Sequence, residues 1–137
     1  MAAKLISSLM HSRTQAHIFH LRTGSFAAHK ALQAYYEGII PLLDEWAEGY
    51  QGRYGLISGY KSGPVSQNPM MAKGYFRRLL KIVDSIKIKD SYLKNILDTI
   101  RQLIYQTLYM LTLDSPKSRR VSKRVPQTRR IPTSRST

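Results

Sequence analysis

The spacing of apolar residues is the feature that most constrains the fold of this chain. Between residues 1 and 115 apolar side chains recur every three or four positions, and no stretch sustains the alternation of a half-buried strand. The pattern predicts four helices, at about 3–21, 26–50, 69–87 and 90–114. We therefore expect an all-α fold.

Each predicted helix has an apolar stripe that should face the core. On the first helix the stripe is Leu5, Ile6, Leu9, Met10, Ala16 and His17. On the third it is Tyr75, Phe76, Leu79, Leu80, Val83 and Ile86. On the fourth it is Leu93, Ile96, Leu97, Ile100, Leu103, Ile104, Leu108 and Leu111.

Turn residues predict how these helices connect. Thr23-Gly24-Ser25 ends one helix and caps the next, Asn68-Pro69 starts the third, and Pro41 should kink the second or cost it a hydrogen bond. Short connections after helices one and three, with a long one between two and three, describe two helical hairpins packed as a four-helix bundle over residues 1–115. The "GYKS" of the long connection lacks the spacing of a phosphate-binding loop.

Composition excludes several classes of protein. The 137 residues contain no cysteine, so disulfides, cysteine-ligated metal and thiol catalysis are ruled out. The N-terminus does not resemble a cleaved secretory signal, and no apolar run approaches membrane-spanning length. We expect a single intracellular domain.

The C-terminal segment, residues 116–137, carries much of the formal net charge of +14. It is rich in Ser, Thr and Pro and has no acid, which predicts a disordered tail that binds a polyanion. Nucleic acid, bound without sequence preference, is favoured over an anionic membrane because the tail lacks an amphipathic face. The expected phosphate contacts are Lys117, Arg119, Arg120, Lys123, Arg124, Arg129, Arg130 and Arg135.

Half of the acidic residues lie on the second helix, which also carries His29. Steps of four and seven residues place one row on a single helical face that should be buried: His29, Gln33, Glu37, Asp44 and Glu48. His17 and His20 on the first helix extend the set. Histidine and carboxylate without sulfur suit iron, zinc or manganese.

The ends of this row are too far apart for one site. Nineteen residues separate His29 from Glu48, which is about 28 Å along a helix. Two copies of the helix crossing antiparallel would place His29 opposite Glu48 and Gln33 opposite Asp44, with the twofold axis between Gly38 and Ile39. We therefore expect a homodimer or larger assembly with shared metal sites. The alternatives are buried histidines that hold no metal, and salt bridges across the dimer from the acids to Arg13, Arg22 or Lys30.

The spacing of these residues resembles a known family. His17, His29, position 33, Asp44 and Glu48 are spaced as the ferroxidase ligands of Dps, the ferritin-like DNA-protecting proteins of bacteria. The stretches "HLRTGSFAAHKALQAYYEGI" and "DEWAEGYQGRYG" are more similar still to small ferritin-like proteins of tailed bacteriophages. The chain departs from Dps in having Gln33 for an aspartate, Ile18-Phe19 after His17, and a glycine-rich connection where Dps has a small helix.

The resemblance implies a ferritin-like bundle and Fe(II) oxidation by peroxide or oxygen. His17 and His29 would be terminal ligands, Glu48 a bridge and Asp44 a further ligand, with Glu37 replacing the aspartate missing at position 33 and His20 an outer or alternative ligand. The protein would lie in the bacterial cytoplasm, on the nucleoid or in a virion. The competing hypothesis is a non-enzymatic phage or nucleoid component, in which the row fastens subunits and the tail binds DNA or other virion proteins.

Overall fold

A computed structural model of the chain describes residues 1–113. Four α-helices account for most of them: α1 (Ala2–Arg22), α2 (Phe26–Tyr54), α3 (Ala72–Asp84) and α4 (Ser91–Thr112). A 3-10 turn, Pro69–Met71, leads into α3. The predicted basic tail, including all of its proposed phosphate contacts, lies outside the described residues.

The helices pack as two hairpins, as predicted. α1 packs against α2 and α3 against α4, while α2 also contacts α4 and α1 contacts α3. Residues 1–113 form no strand, so the all-α prediction is confirmed. No helix in this range is long and apolar enough to cross a membrane.

The core lies between the four helices and follows most of the predicted stripes. Its largest fully buried side chains are Trp46, Tyr35, Phe19 and Phe76. The prediction for Met10 is wrong, because its side chain is 47% exposed. His17 is only half-buried. The buried polar residues of α1 are instead Ser12, Gln15 and His20. The hydroxyl of Ser12 lies 2.6 Å from that of Tyr35.

Two predicted helix ends are also wrong. α2 continues past residue 50 to Tyr54, since Gly49 and Gly52 do not break it, and it ends at Gly55 with φ of 99°. α3 ends at Asp84, where the Ser85 hydroxyl donates to the carbonyl of Ile82 at 2.6 Å. This carbonyl is thus hydrogen-bonded without an amide four residues later in the chain, so the helix need not continue. Ser25 and Asn68 cap as predicted, accepting from the amides of Ala28 and Met70.

The middle of α2 is shaped by a glycine and a proline. A Cβ atom on Gly38 would lie 3.3 Å from a methyl of Leu103, so this glycine allows α2 and α4 to approach each other. The prediction that Gly38 and Ile39 face a second copy is therefore wrong, because Ile39 is also fully buried. Pro41 lies on the exposed side of an unbroken helix, where it leaves the carbonyl of Glu37 without its usual amide donor.

The long connection between α2 and α3, residues 55–68, is held along one face of α1, and we call it the strap. Three side chains of α1 spaced four residues apart form hydrogen bonds with it, namely Ser7, His11 and Gln15. Ser7 accepts from the amide of Lys61 at 3.0 Å, and His11 Nε2 donates to the carbonyl of Pro64 at 2.7 Å. Gln15 both donates to and accepts from the backbone of Ser66, at 2.9 and 2.7 Å. The glycine-rich connection is thus a bound extended segment.

Replacement of Gly38 by Leu should destabilise the fold. The larger side chain must displace Leu103 and separate α2 from α4, and overpacking of this kind costs about 1–3 kcal/mol. Gly52→Leu is the matched control, because nothing lies within 4 Å of its Cβ position and leucine favours a helix more than glycine does. Urea unfolding followed by circular dichroism should show a loss of stability for the first variant only. Equal stability of the two variants would contradict the close approach.

Candidate metal centre at the corner of α1 and α2

Three histidines and a tyrosine meet where α1 ends and α2 begins. This histidine corner consists of His17, His20, His29 and Tyr36. The rings of His20 and His29 stack with centroids 3.7 Å apart, and those of His17 and Tyr36 stack at 4.3 Å. His17 and His20, one helical turn apart, have centroids separated by 5.9 Å. The antiparallel hairpin therefore brings together the three histidines singled out in the sequence.

Two reciprocal hydrogen bonds fix the tautomers at the corner. Nδ1 of His20 lies 2.8 Å from the carbonyl oxygen of His29, and Nδ1 of His29 lies 3.1 Å from that of His20. Because a carbonyl only accepts, both Nδ1 atoms carry the proton. In the neutral rings each Nε2 then has a free lone pair. A backbone carbonyl holds many metal-ligating histidines in this way, so the tautomers of His20 and His29 are compatible with metal binding.

The histidine corner lies near the surface of the molecule. His20 is 7% exposed, whereas His17, His29 and Tyr36 are half-buried. Tyr36 is the member of the corner that is not among the residues predicted from the sequence. Its position seven residues after His29, which is two helical turns, is the signal that it shares the face of that histidine.

The carboxylates of α2 lie away from this corner. Glu37, Asp44 and Glu48 are exposed, and Gln33 is half-buried, donating to Glu37 Oε2 at 3.1 Å. The prediction that the row is buried is therefore wrong for the single chain, because α2 turns its other side to the core. Glu37, Asp44 and Glu48 still share one side of α2, which is exposed and which we call the acidic face.

The acidic face of α2 has no counter-ion within the described part of the chain. The ion pairs found between residues 1 and 113 join Arg101 to Asp84 and Asp98, at 2.6 and 2.7 Å. Within one copy, Arg13, Arg22 and Lys30 form no ion pair with these acids in the described residues, so the alternative of salt bridges across a dimer stays a prediction. Arg22 instead donates to the carbonyl of Gln67 at 3.2 Å, and Lys30 lies over the ring of Phe26.

One copy of residues 1–113 does not group three His, Asp or Glu side chains that could hold a metal ion. The histidines lie at one end of α2, and Asp44 and Glu48 lie beyond its middle, with the helix itself keeping them apart. Any complete site of the predicted kind needs ligands from elsewhere. In a single chain the predicted histidine ligands and the predicted carboxylate ligands therefore lie apart.

The tautomers can be tested directly. Imidazole ¹⁵N chemical shifts at mildly alkaline pH should place the proton on Nδ1 in His20 and His29, although neutral imidazole in water favours Nε2. His11 is the internal control, because its Nε2 donates to Pro64 and should carry the proton. Protonated Nε2 atoms in both His20 and His29 would contradict the reciprocal hydrogen bonds.

Comparison with known proteins yields a family but no structural neighbour. An uncharacterized 14.6 kDa protein of Enterobacteria phage T4, from the mobD-ri intergenic region, is 29% identical over 118 residues, which cover 82% of this chain and 89% of the relative. No solved structure matches the chain. Residues 20–111 match DUF5856, a family of unknown function. The matched range includes the acidic face, the strap, α3, nearly all of α4 and the histidine corner except His17. The chain belongs to the DUF5856 family.

Proposed function

We propose that this protein binds iron at sites shared between two antiparallel copies of α2, in the manner of a ferritin-like ferroxidase. The observation that carries the proposal is the division of ligands along α2. Histidines with fixed tautomers lie at one end, and carboxylates without counter-ions lie on the outer face of the other. Zinc and manganese suit the same ligands.

The exposed face of α2 supports an antiparallel pairing. Crossing about a twofold axis level with residues 38 and 39 places Glu48 opposite His29 and Asp44 opposite Gln33, as the sequence spacing indicates. Since Gly38 and Ile39 face inward, the contact at the axis would be made by Glu37, Ile40 and Pro41, which are exposed. Ile40 provides an apolar group at the centre of this contact.

Charge gives a reason for a metal in such a dimer. Bringing two acidic faces together without a cation would be unfavourable, because desolvated carboxylates need compensation. The histidine corner of the partner, with a metal ion bound, supplies positive charge opposite Glu48. A metal ion bound at the shared site would therefore also stabilise the dimer.

In the proposed reaction Fe(II) is the substrate. His17 and His29 bind it through nitrogen, and Asp44 and Glu48 of the other copy offset its charge and favour the ferric product. Peroxide or oxygen accepts the electrons. His20 holds the His29 ring in place through their reciprocal hydrogen bonds, and Glu37 is available as a further carboxylate.

Complementation between two variants tests the shared site. His29→Ala and Glu48→Ala should each reduce aerobic Fe(II) oxidation by at least about tenfold, because each loses a ligand from every site. After the two are unfolded and refolded together in equal amounts, half of the dimers should be mixed, each with one intact site. About a quarter of the wild-type activity should then return. The rate is measured from the absorbance of the ferric product.

Glu45→Ala is the matched control, since it removes an exposed carboxylate of α2 outside the ligand row. It should oxidise Fe(II) at the wild-type rate. Wild-type activity in both ligand variants, or no recovery on mixing, would contradict the shared site.

The second candidate is a non-enzymatic phage or nucleoid protein. It is favoured by eight Lys and Arg residues without an acid in residues 116–137, and by the similarity to a phage T4 protein. In this proposal the ligand row fastens copies together, and the tail binds DNA or neighbouring virion proteins. Both candidates place the protein in the host cytoplasm, on the nucleoid or in the virion.

Deletion of residues 116–137 tests DNA binding by the tail. The full chain should bind duplex DNA of any sequence with a log-log salt slope of about −4.5 if five phosphates are engaged, and the truncated chain should lose most of this affinity. Replacement of the eight tail cations by Gln is the control for length and should match the deletion. Unchanged retention of DNA by either variant at low salt would refute the proposal.

A further inference from the structure

A cavity of about 800 Å³ lies between the first half of α1, the strap and α3, on a different side of the molecule from the histidine corner. We call it the strap pocket. Its volume is within the usual range for small-molecule sites. None of its lining residues belongs to the metal site proposed above.

The walls of the strap pocket are tied together by hydrogen bonds. Burial raises the pKa of Tyr75, so its phenol keeps the proton and lies 2.7 Å from Nδ1 of His11, to which it donates. His11 Nε2 in turn donates to Pro64 on the strap. This chain links α3, α1 and the strap. Gly59, with φ of 90°, lets the strap turn close to Ala3.

The lining is positively charged. Lys4, Lys61 and Arg78 all contribute to it, and none of the lining residues is Asp or Glu. No carboxylate within residues 1–113 forms an ion pair with any of these three cations. The hydroxyls of Ser7, Ser8 and Ser62 add donors. Cations and hydroxyl donors that line one concavity favour a phosphate group, for which the arginine fork is well suited.

The rest of the wall is apolar. Ala3, Leu79, Ile82 and the ring of Tyr75 line it, so the pocket has room for a flat or apolar group beside the anion. A ligand that matches both halves has a phosphate and a ring. We infer that the strap pocket binds a nucleoside phosphate, with the phosphate at Lys61 and Arg78 and the base against Tyr75.

Titration calorimetry on the full chain tests this inference, with ADP, adenosine and inorganic phosphate as probes at about 150 mM salt, where diffuse charge effects are screened. ADP should bind saturably with one molecule per chain. Lys61→Gln/Arg78→Gln should raise its Kd by at least about tenfold, because two charge-assisted contacts are lost. Inorganic phosphate should compete with ADP, and adenosine should bind more weakly than ADP.

Arg13→Gln/Lys94→Gln is the matched control. It removes the same charge from exposed positions outside the pocket and leaves the basic tail unchanged. Its Kd for ADP should stay within about twofold of wild type, since long-range charge effects are screened at this salt. Circular dichroism should show the same helix content in both double variants. Absence of saturable ADP binding, equal losses in the two double variants, or adenosine binding as tightly as ADP would each overturn the inference.

Discussion

The antiparallel packing of α1 against α2 is the constraint on which the other features depend. It buries Leu5, Leu9 and Phe19 against Leu32, Tyr35 and Ile39. At one end it brings His20 and His29 into reciprocal hydrogen bonds, and in its middle it pairs the hydroxyls of Ser12 and Tyr35. The opposite side of α1 holds the strap through Ser7, His11 and Gln15. A single helix thus organises both candidate sites.

Much of the fold could be predicted from the sequence because apolar periodicity reports which side of a helix is buried. The four helices, their hairpin order and the caps at Ser25 and Asn68 follow from local rules that tertiary packing did not overrule. The wrong predictions concern positions where tertiary packing, and not the local sequence, determines the structure. Gly49 and Gly52 did not end α2. Met10 is exposed because it lies beside the apolar stripe of α1 and not within it.

The candidate site was predicted only in part, for the same reason. Spacing identified His17, His20 and His29 as neighbours, since steps along two antiparallel helices determine which residues meet. It could not show that Glu37, Asp44 and Glu48 are exposed, because a helix with polar and apolar residues on several sides leaves open which one faces the core. Gly38 is an example, because its lack of a side chain allows α2 to pack closely against Leu103 of α4. The strap pocket depends on a long connection, whose path no periodicity predicts.

Acidic and basic residues lie on separate parts of the molecule. The acids of α2 form one exposed face, while Lys4, Lys61 and Arg78 line the strap pocket. The charged residues of the tail are all basic. A molecule with separate acidic and basic surfaces can bind copies of itself and polyanions without using the same residues twice. The central proposal, that α2 of one copy lies antiparallel on α2 of another, concerns the acidic face and the histidine corner.

Pulsed electron paramagnetic resonance on single-cysteine variants measures that arrangement most directly, and the absence of native cysteine makes the labelling specific. Spin labels at Lys30→Cys and Arg53→Cys, both on exposed parts of α2, should lie about 25 Å and about 43 Å from their counterparts in the other copy, given a rise of about 1.5 Å per residue about an axis level with residues 38 and 39. Equal short distances at the two positions, or no intermolecular coupling at either, would contradict the antiparallel pairing.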